Sequence, residues 1–274
     1  GSGAWPVKDA SSIINGIEIF QTVNGAFFMG LLFFISGFVI PGAYKKYGAK
    51  AFALSKIKRL MIPFLVFALF VFVPINYVFG HFEDIASYAS YLITSDGIQS
   101  FTGHLWFVLH LFIYSSAYLI CEMIYSRVNS PKTQWIMPKK LIKGKNFFLG
   151  IMLFVILIST LTFMVRIFYQ IDTWIVFLHA IRVEPANIIQ YLSLFTAGVV
   201  FSKKEIFDRI SEKTSIVCSV FGFSVFVLSY ILYYASEFFG AEILRYTGGD
   251  SLNALYRPLW ENSLAVFFGI GLIY

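Results

Sequence analysis

The run FFLGIMLFVILISTLTFMV, residues 147–165, holds nineteen residues without a single charge. As a helix rising 1.5 Å per residue it reaches about 28 Å, close to the roughly 30 Å hydrocarbon core of a bilayer. Immediately upstream, residues 127–146 hold Arg127, Lys132, Lys139, Lys140, Lys143 and Lys145 and no acid. Immediately downstream stands Arg166. A charge-free run of this length, preceded by a purely basic stretch, reads as a membrane-spanning helix that starts in the cytoplasm.

Working outward, six further apolar stretches appear, so that seven are expected: about 25–43, 61–80, 104–126, 147–165, 187–201, 216–236 and 258–274. The whole chain is 58% hydrophobic, 19% aromatic and only 13% charged, with 32 Phe and 16 Tyr, and its mean hydropathy is +0.75. A soluble domain holds about 25% charged residues. The composition excludes a disordered chain, a disulfide scaffold and an ordinary soluble enzyme. The expected fold class is all-α, a polytopic transmembrane helical bundle occupying residues 1–274 as a single domain. Cys121 and Cys218 lie inside apolar runs with no CxxC or Cys/His partner, so neither a disulfide framework nor a metal site is expected.

Charge sets the orientation. Residues 44–60 carry Lys45, Lys46, Lys50, Lys56, Lys58 and Arg59 without an acid, and 202–214 carry Lys203, Lys204, Arg209 and Lys213 against three acids. With 127–146 these stretches hold 16 of the 21 Lys and Arg residues. The positive-inside rule places all three, read as loops, in the cytoplasm. The net charge of +6 is then a topology signal, and nucleic acid is not an expected partner.

The chain begins Gly1-Ser2-Gly3 and stops at Tyr274 inside an apolar run. Leu259 to Tyr274 reaches only about 24 Å as a helix. The expectation is a piece of a longer membrane protein, with an odd number of spans before Gly1 and further helices after Tyr274.

Ionisable groups in or beside membrane spans are costly and are candidates for function. Here they are His104, His110, Glu122, Arg166, His179, Glu184 and Glu261. His104 and Trp106 open the third span, either as an aromatic belt at the interface or as the mouth of a polar cavity. Ser36 and Gly37 either let a second helix approach or make room for a ligand. Lys58 and Arg59 either anchor the inner interface or grip the phosphates of a donor. Arg166 either snorkels outward or pairs with Glu184 across helices. Glu122 reads as interfacial, and Glu261 enters the last span, where it would face a cavity. Pro41 permits a kink or stop in the first span. No Walker loop, GxGxxG, GxSxG or HExxH occurs.

Several of these segments, taken in order, resemble acyltransferase family 3, the integral-membrane acyltransferases of glycans and other extracytoplasmic acceptors. Phe27-Phe28-Met29-Gly30 through Ile35-Ser36-Gly37-Phe38 resembles the family's FFxxSGF helix. Lys58-Arg59-Leu60 with Pro63 resembles its RxxRLxxP segment. Gly103-His104-Leu105-Trp106-Phe107 resembles its HLWFL helix start. Arg166, Glu184-Pro185, Gln190-Tyr191, Phe195 and Gly198 resemble its outer loop and next helix.

The resemblance implies a bundle of about ten helices in the bacterial cytoplasmic (inner) membrane. It implies transfer of an acyl group, acetyl or succinyl, from cytoplasmic acyl-CoA to a hydroxyl of an extracytoplasmic glycan or related acceptor, with no bound cofactor or metal. Arg59 helped by Lys58 would hold the donor's phosphates, and Ser36 and Gly37 would shape an acyl tunnel. His104 and Trp106 would form the outer pocket, and Arg166 and Glu184 would orient the acceptor or hold its loop. The family's catalytic His belongs to a first helix, and none of His81, His104, His110 or His179 fits that position. Residues 1–274 alone are therefore expected to be inactive. The competing expectations are a transporter or flippase of a lipid-linked or acylated sugar, and a membrane assembly subunit.

Overall fold

The computed structural model describes residues 7–80, 82, 84–102, 105–128, 144–177, 181–203, 205, 206, 208, 210–239, 248–250 and 252–273. The architecture is a helical bundle. Helix α1 runs Val7–Lys56 and passes through Pro41 without leaving helical geometry, but it breaks at Gly48 (φ 74°, ψ 170°). That conformation is open to glycine and strained for any other residue. The break folds the chain. The rings of Tyr44 and Phe52 lie 6.0 Å apart, whereas eight residues of straight helix would separate them by about 12 Å.

The stretch 44–60 is thus helical, which corrects the expectation of a loop. Its lysines misled the sequence reading. Past Gly48 they lie on a helix that buries Phe52 on its other side. Past Lys56 the helix continues through two π turns, Ile57–Met61 and Ala68–Phe72, alternating with α2 (Ile62–Phe67) and α3 (Val73–Phe79). Pro63 and Pro74 explain both. A proline four residues on leaves the carbonyls of Arg59 and Phe70 without their helical donor, and each carbonyl falls inside a π turn, where the backbone widens to accommodate it.

Helices α4 (Ile85–Leu92) and α5 (Ser95–Thr102) follow, in a stretch the sequence reading left as loop. Asp84 caps α4, accepting from the Ser87 amide at 2.7 Å. That amide, with the Ser87 hydroxyl, holds the Asp84 carboxyl below the usual carboxylate range. Tyr88 donates to the Val73 carbonyl (3.0 Å) and fastens α4 to α3.

Next come α6 (Trp106–Val128) and α7 (Gly144–Phe168). A two-stranded antiparallel hairpin, β1 (Ile175–Phe177) and β2 (Ile181–Val183), has Ile175 opposite Val183. Helices α8 (Pro185–Lys203) and α9 (Glu212–Phe239) precede a last helical run of α10 (Tyr256–Ser263), a π turn Leu264–Phe268 and α11 (Gly269–Ile273).

Among the described residues, four helical stretches are long and apolar enough to cross a membrane: Phe27–Phe79, Trp106–Val128, Gly144–Phe168 and Pro185–Lys203. The first, broken at Gly48, covers two of the seven expected spans. The expected spans 216–236 and 258–274 fall on α9 and the last helical run.

Helix α7 shows how an apolar sequence still has an inside. It buries Ile151, Val155, Ile158, Ser159, Thr162 and Arg166 on one stripe and presents Leu149, Leu153, Leu157 and Leu161 outward. Ser159, Thr162 and Arg166 go inward, and outward-facing Thr160 donates its hydroxyl to the Ile156 carbonyl of its own helix, as expected of a helix surrounded by lipid.

Helices α1 and α8 make the closest crossing. A Cβ on Gly37 would fall within 3.0 Å of the Phe195 carbonyl oxygen, and one on Gly198 within 3.0 Å of the Phe34 carbonyl oxygen. The two missing side chains let the backbones touch.

Two ends can be told apart. Tyr44 meets Tyr118, Lys203 pairs with Glu122, the Phe147 and Phe201 rings meet, and Gly144 lies against Thr214. These contacts gather the described parts of the three basic stretches at one end of the bundle, here the basic end. The hairpin, α4 and α5 occupy the other, the hairpin end.

Candidate functional site

At the hairpin end, α7 delivers Arg166 into the bundle at 2% exposure. Its Nη2 donates to Glu261 Oε2 and to Asn187 Oδ1, both at 2.6 Å, and its Nε donates to the Ala186 carbonyl at 3.2 Å. Glu261 also accepts from Arg257 Nε at 2.9 Å, one turn earlier on α10. Asn187 passes the network on by donating to Glu184 Oε2 (2.7 Å), and Glu184 Oε1 accepts from the Asp172 amide (2.9 Å). Two guanidiniums and two carboxylates therefore share one buried cluster. It fastens α7, α8, α10 and the loop ahead of the hairpin.

This geometry corrects two expectations. Arg166 does not snorkel. Its ionic partner is Glu261, and Glu184 reaches it only through Asn187. The sequence contained a local sign, since Arg257 and Glu261 stand at i and i+4. The pairing of Arg166 with a residue 95 positions away had none.

Beside this cluster runs an aromatic wall. Trp106, 9% exposed, stacks on Tyr191 (ring centroids 5.7 Å) and meets Trp174 (5.4 Å) and His110 (5.3 Å) edge on. Trp106 is thus an internal residue, which rules out the interface-belt reading for it. The Arg182 guanidinium lies 4.0 Å over the Trp174 ring and presses the hairpin onto this wall. Phe33 of α1 stacks on Tyr191 at 4.8 Å. Down α6, Trp106, His110, Tyr114, Tyr118 and Glu122 recur every four residues. They form one polar and aromatic stripe from the hairpin end to the basic end. Sequence reading compared His104 with His110, six apart, and missed this four-residue spacing. His104 and His179 lie outside the described residues.

At the basic end, Lys58 and Arg59 are both exposed on the first π turn. Lys56 lies over the Phe52 ring at 5.4 Å. Gly37 and half-buried Ser36 sit eleven and twelve residues before Gly48, about 17 Å back along α1. Gly37 serves the α1–α8 crossing. Among the described residues no group of His, Cys, Asp and Glu is arranged to hold a metal ion.

No curated protein and no solved structure matches the chain. A family model described as an acyltransferase domain matches residues 3–274. That match takes in the FFxxSGF-like helix, the basic π turn, the Trp106 wall and the Arg166 cluster together, and the chain belongs to acyltransferase family 3.

Proposed function

We propose that this membrane acyltransferase takes an acetyl or succinyl group from acyl-CoA at the basic end. It passes the group to a hydroxyl of an extracytoplasmic glycan or related acceptor at the hairpin end. The chemistry is an exchange of a thioester for an ester. The acceptor oxygen bonds to the acyl carbon, the carbon–sulfur bond breaks, and the hydroxyl proton leaves with the thiol. By the positive-inside rule the basic end faces the cytoplasm, where acyl-CoA is made.

The observation that carries the reading is the two-ended polarity of the bundle. Exposed Lys58 and Arg59 stand at one end, a buried charge cluster with an aromatic wall at the other, and the α6 stripe between. In this reading Arg59, assisted by Lys58, binds the donor's phosphates, and Ser36 and Gly37 flank the acyl path. Trp106, with His104, walls the acceptor pocket. Arg166 and Glu184 are positioning residues that hold the loop before the hairpin, because Glu184 binds the Asp172 amide.

The test uses the full-length protein in vesicles with acetyl-CoA labelled in the acetyl group. Transfer labels the acceptor and releases one CoA per acyl group. Movement of a sugar without labelling would establish a transporter instead. Within the same assay, Arg59→Ala is expected to raise the KM for acetyl-CoA about tenfold, the value of one lost charge-assisted phosphate contact. An unchanged KM would remove Arg59 from the donor site.

A further inference from the structure

Between Asp84 and Asp96 the chain holds eleven residues, IASYASYLITS, without a charge. They form α4 and the turn into α5, and of α4 only Tyr88 is buried. Ile85, Ala89 and Ile93, four residues apart and so on one edge, are exposed, the two isoleucines at 74% and 81%. A helix that met water along this edge would carry polar or charged groups there.

The polar groups of the stretch are turned to the protein itself. Ser87 donates to the Asp84 carbonyl (2.8 Å), Ser90 to the Ala86 carbonyl (3.0 Å) and Thr94 to the Tyr91 carbonyl (2.6 Å). The turn pairs its own amides. That of Thr94 donates to the Tyr91 carbonyl and that of Ile98 to the Thr94 carbonyl, both at 2.9 Å, and that of Gly97 to the Thr94 hydroxyl at 3.1 Å. Gly97 permits this closeness, since a Cβ there would collide with the Tyr91 carbonyl. Backbone that is paired in this way can meet lipid, whereas an open loop cannot.

The packing sets the depth. Tyr88 is fastened to the Val73 carbonyl, seven residues before Gly80, so α4 lies about 10 Å back along α3 from its end. Phe101 of α5 meets Phe64, further back still. Helix α4 therefore lies beside the apolar stretch Phe27–Phe79 and not beyond it. Their exposed faces join, because Phe70, Val78 and Phe79 of that stretch are also mostly exposed. Tyr77, Phe82, Tyr88 and Tyr91 cluster at the junction with ring centroids 4.8–5.5 Å apart. Aromatic rings of this kind collect at a membrane–water boundary.

We propose that α4 is an interfacial helix in the leaflet at the hairpin end. Ile85, Ala89 and Ile93 lie among lipid acyl chains, and Asp84 and Asp96 reach the headgroup layer at its two ends. The occupant of the exposed edge is lipid, because the edge continues the lipid-facing side of the first long stretch and its hydroxyls and turn amides are already paired. The assignment holds whether or not the protein transfers an acyl group.

The test places an environment-sensitive NBD dye on single cysteines in the full-length protein in phospholipid vesicles. Cys121→Ser removes the exposed thiol, and buried Cys218 escapes labelling in the folded protein. Ile85→Cys, Ile93→Cys and, as the water-side reference, Asp96→Cys are labelled one at a time. All three positions are exposed, so each variant is expected to melt with the parent. The expected result at 85 and 93 is blue-shifted emission, a severalfold loss of intensity with nitroxide-labelled lipid and none with iodide. At 96 iodide quenches and lipid nitroxide does not. Iodide quenching at 85 and 93 would put the edge in water and overturn the proposal. Protection from both quenchers would mean that protein covers it, a second copy or another segment, and would overturn it equally. Lipid quenching at 96 as well would overturn the interfacial placement in favour of a fully inserted hairpin. The two isoleucine sites report independently, so failure of one variant to fold leaves the other to decide.

Discussion

Glu261→Leu is expected to cost the protein about 3–5 kcal/mol of stability, the range seen when one member of a buried ion pair is removed. The carboxylate accepts from two guanidiniums, Arg166 at 2.6 Å and Arg257 at 2.9 Å. Without it Arg166, at 2% exposure, keeps Asn187 and the Ala186 carbonyl but has no counter-charge. Lipid offers it no water, and the backbone of α7 gives it no route outward. Arg257 is on the rim and can turn toward solvent, so most of the loss falls on Arg166. The measurement is thermal unfolding of the full-length protein in detergent. The double replacement Arg166→Met with Glu261→Leu should recover much of the loss, because the uncompensated charge is then gone. A single-variant loss below about 1 kcal/mol, or no recovery in the double variant, would sink the view that this pair fastens α7 to α10.

Gly37→Ala and Gly42→Ala are expected to move stability in opposite directions. At Gly42 a new Cβ meets nothing within 4 Å. Alanine there gains roughly 0.5–1 kcal/mol of helix propensity. At Gly37 the same atom falls on the Phe195 carbonyl oxygen and carbon, and backbone does not step aside as a side-chain tip does. The helices must separate by roughly 1 Å, opening the contacts of Phe33 and Tyr191 at the same crossing. Overpacking costs about 1–3 kcal/mol where a core can adjust, and this crossing belongs at the upper end. Gly198→Ala should behave like Gly37→Ala, since its Cβ meets the Phe34 carbonyl of the opposite helix. Acyl transfer should fall with stability in both. Equal melting temperatures for the Gly37 and Gly42 variants would show that the crossing is looser than described.

Much of this was legible in one dimension. Residues 147–165 announced a membrane helix by length and lack of charge, and 187–201 did so with α8 extending it to Pro185–Lys203. The order of short motifs pointed to the family that the match over 3–274 establishes. The boundaries failed where polarity and backbone part company. Lysines in 44–60 suggested a loop, yet Ala49, Ala51 and Ala53 favour helix, and only Gly48 breaks it.

The site was legible as a roster and not as an arrangement. Sequence named Arg166, Glu184, Glu261, Trp106 and His110 because charges and polar rings inside apolar runs are expensive wherever they sit. Span length, basic stretches and motif order are likewise properties of neighbours along the chain, so sequence alone determined them. Partnership depends on how each helix is rotated and how deep it sits, and those follow from packing contacts such as Gly37 on Phe195 and Gly198 on Phe34. Only the tertiary structure decided that Arg166 pairs with Glu261 rather than Glu184. It alone decided that Trp106 turns inward, and that His110 Nδ1 and Tyr114 Oη are buried without a partner among the described residues.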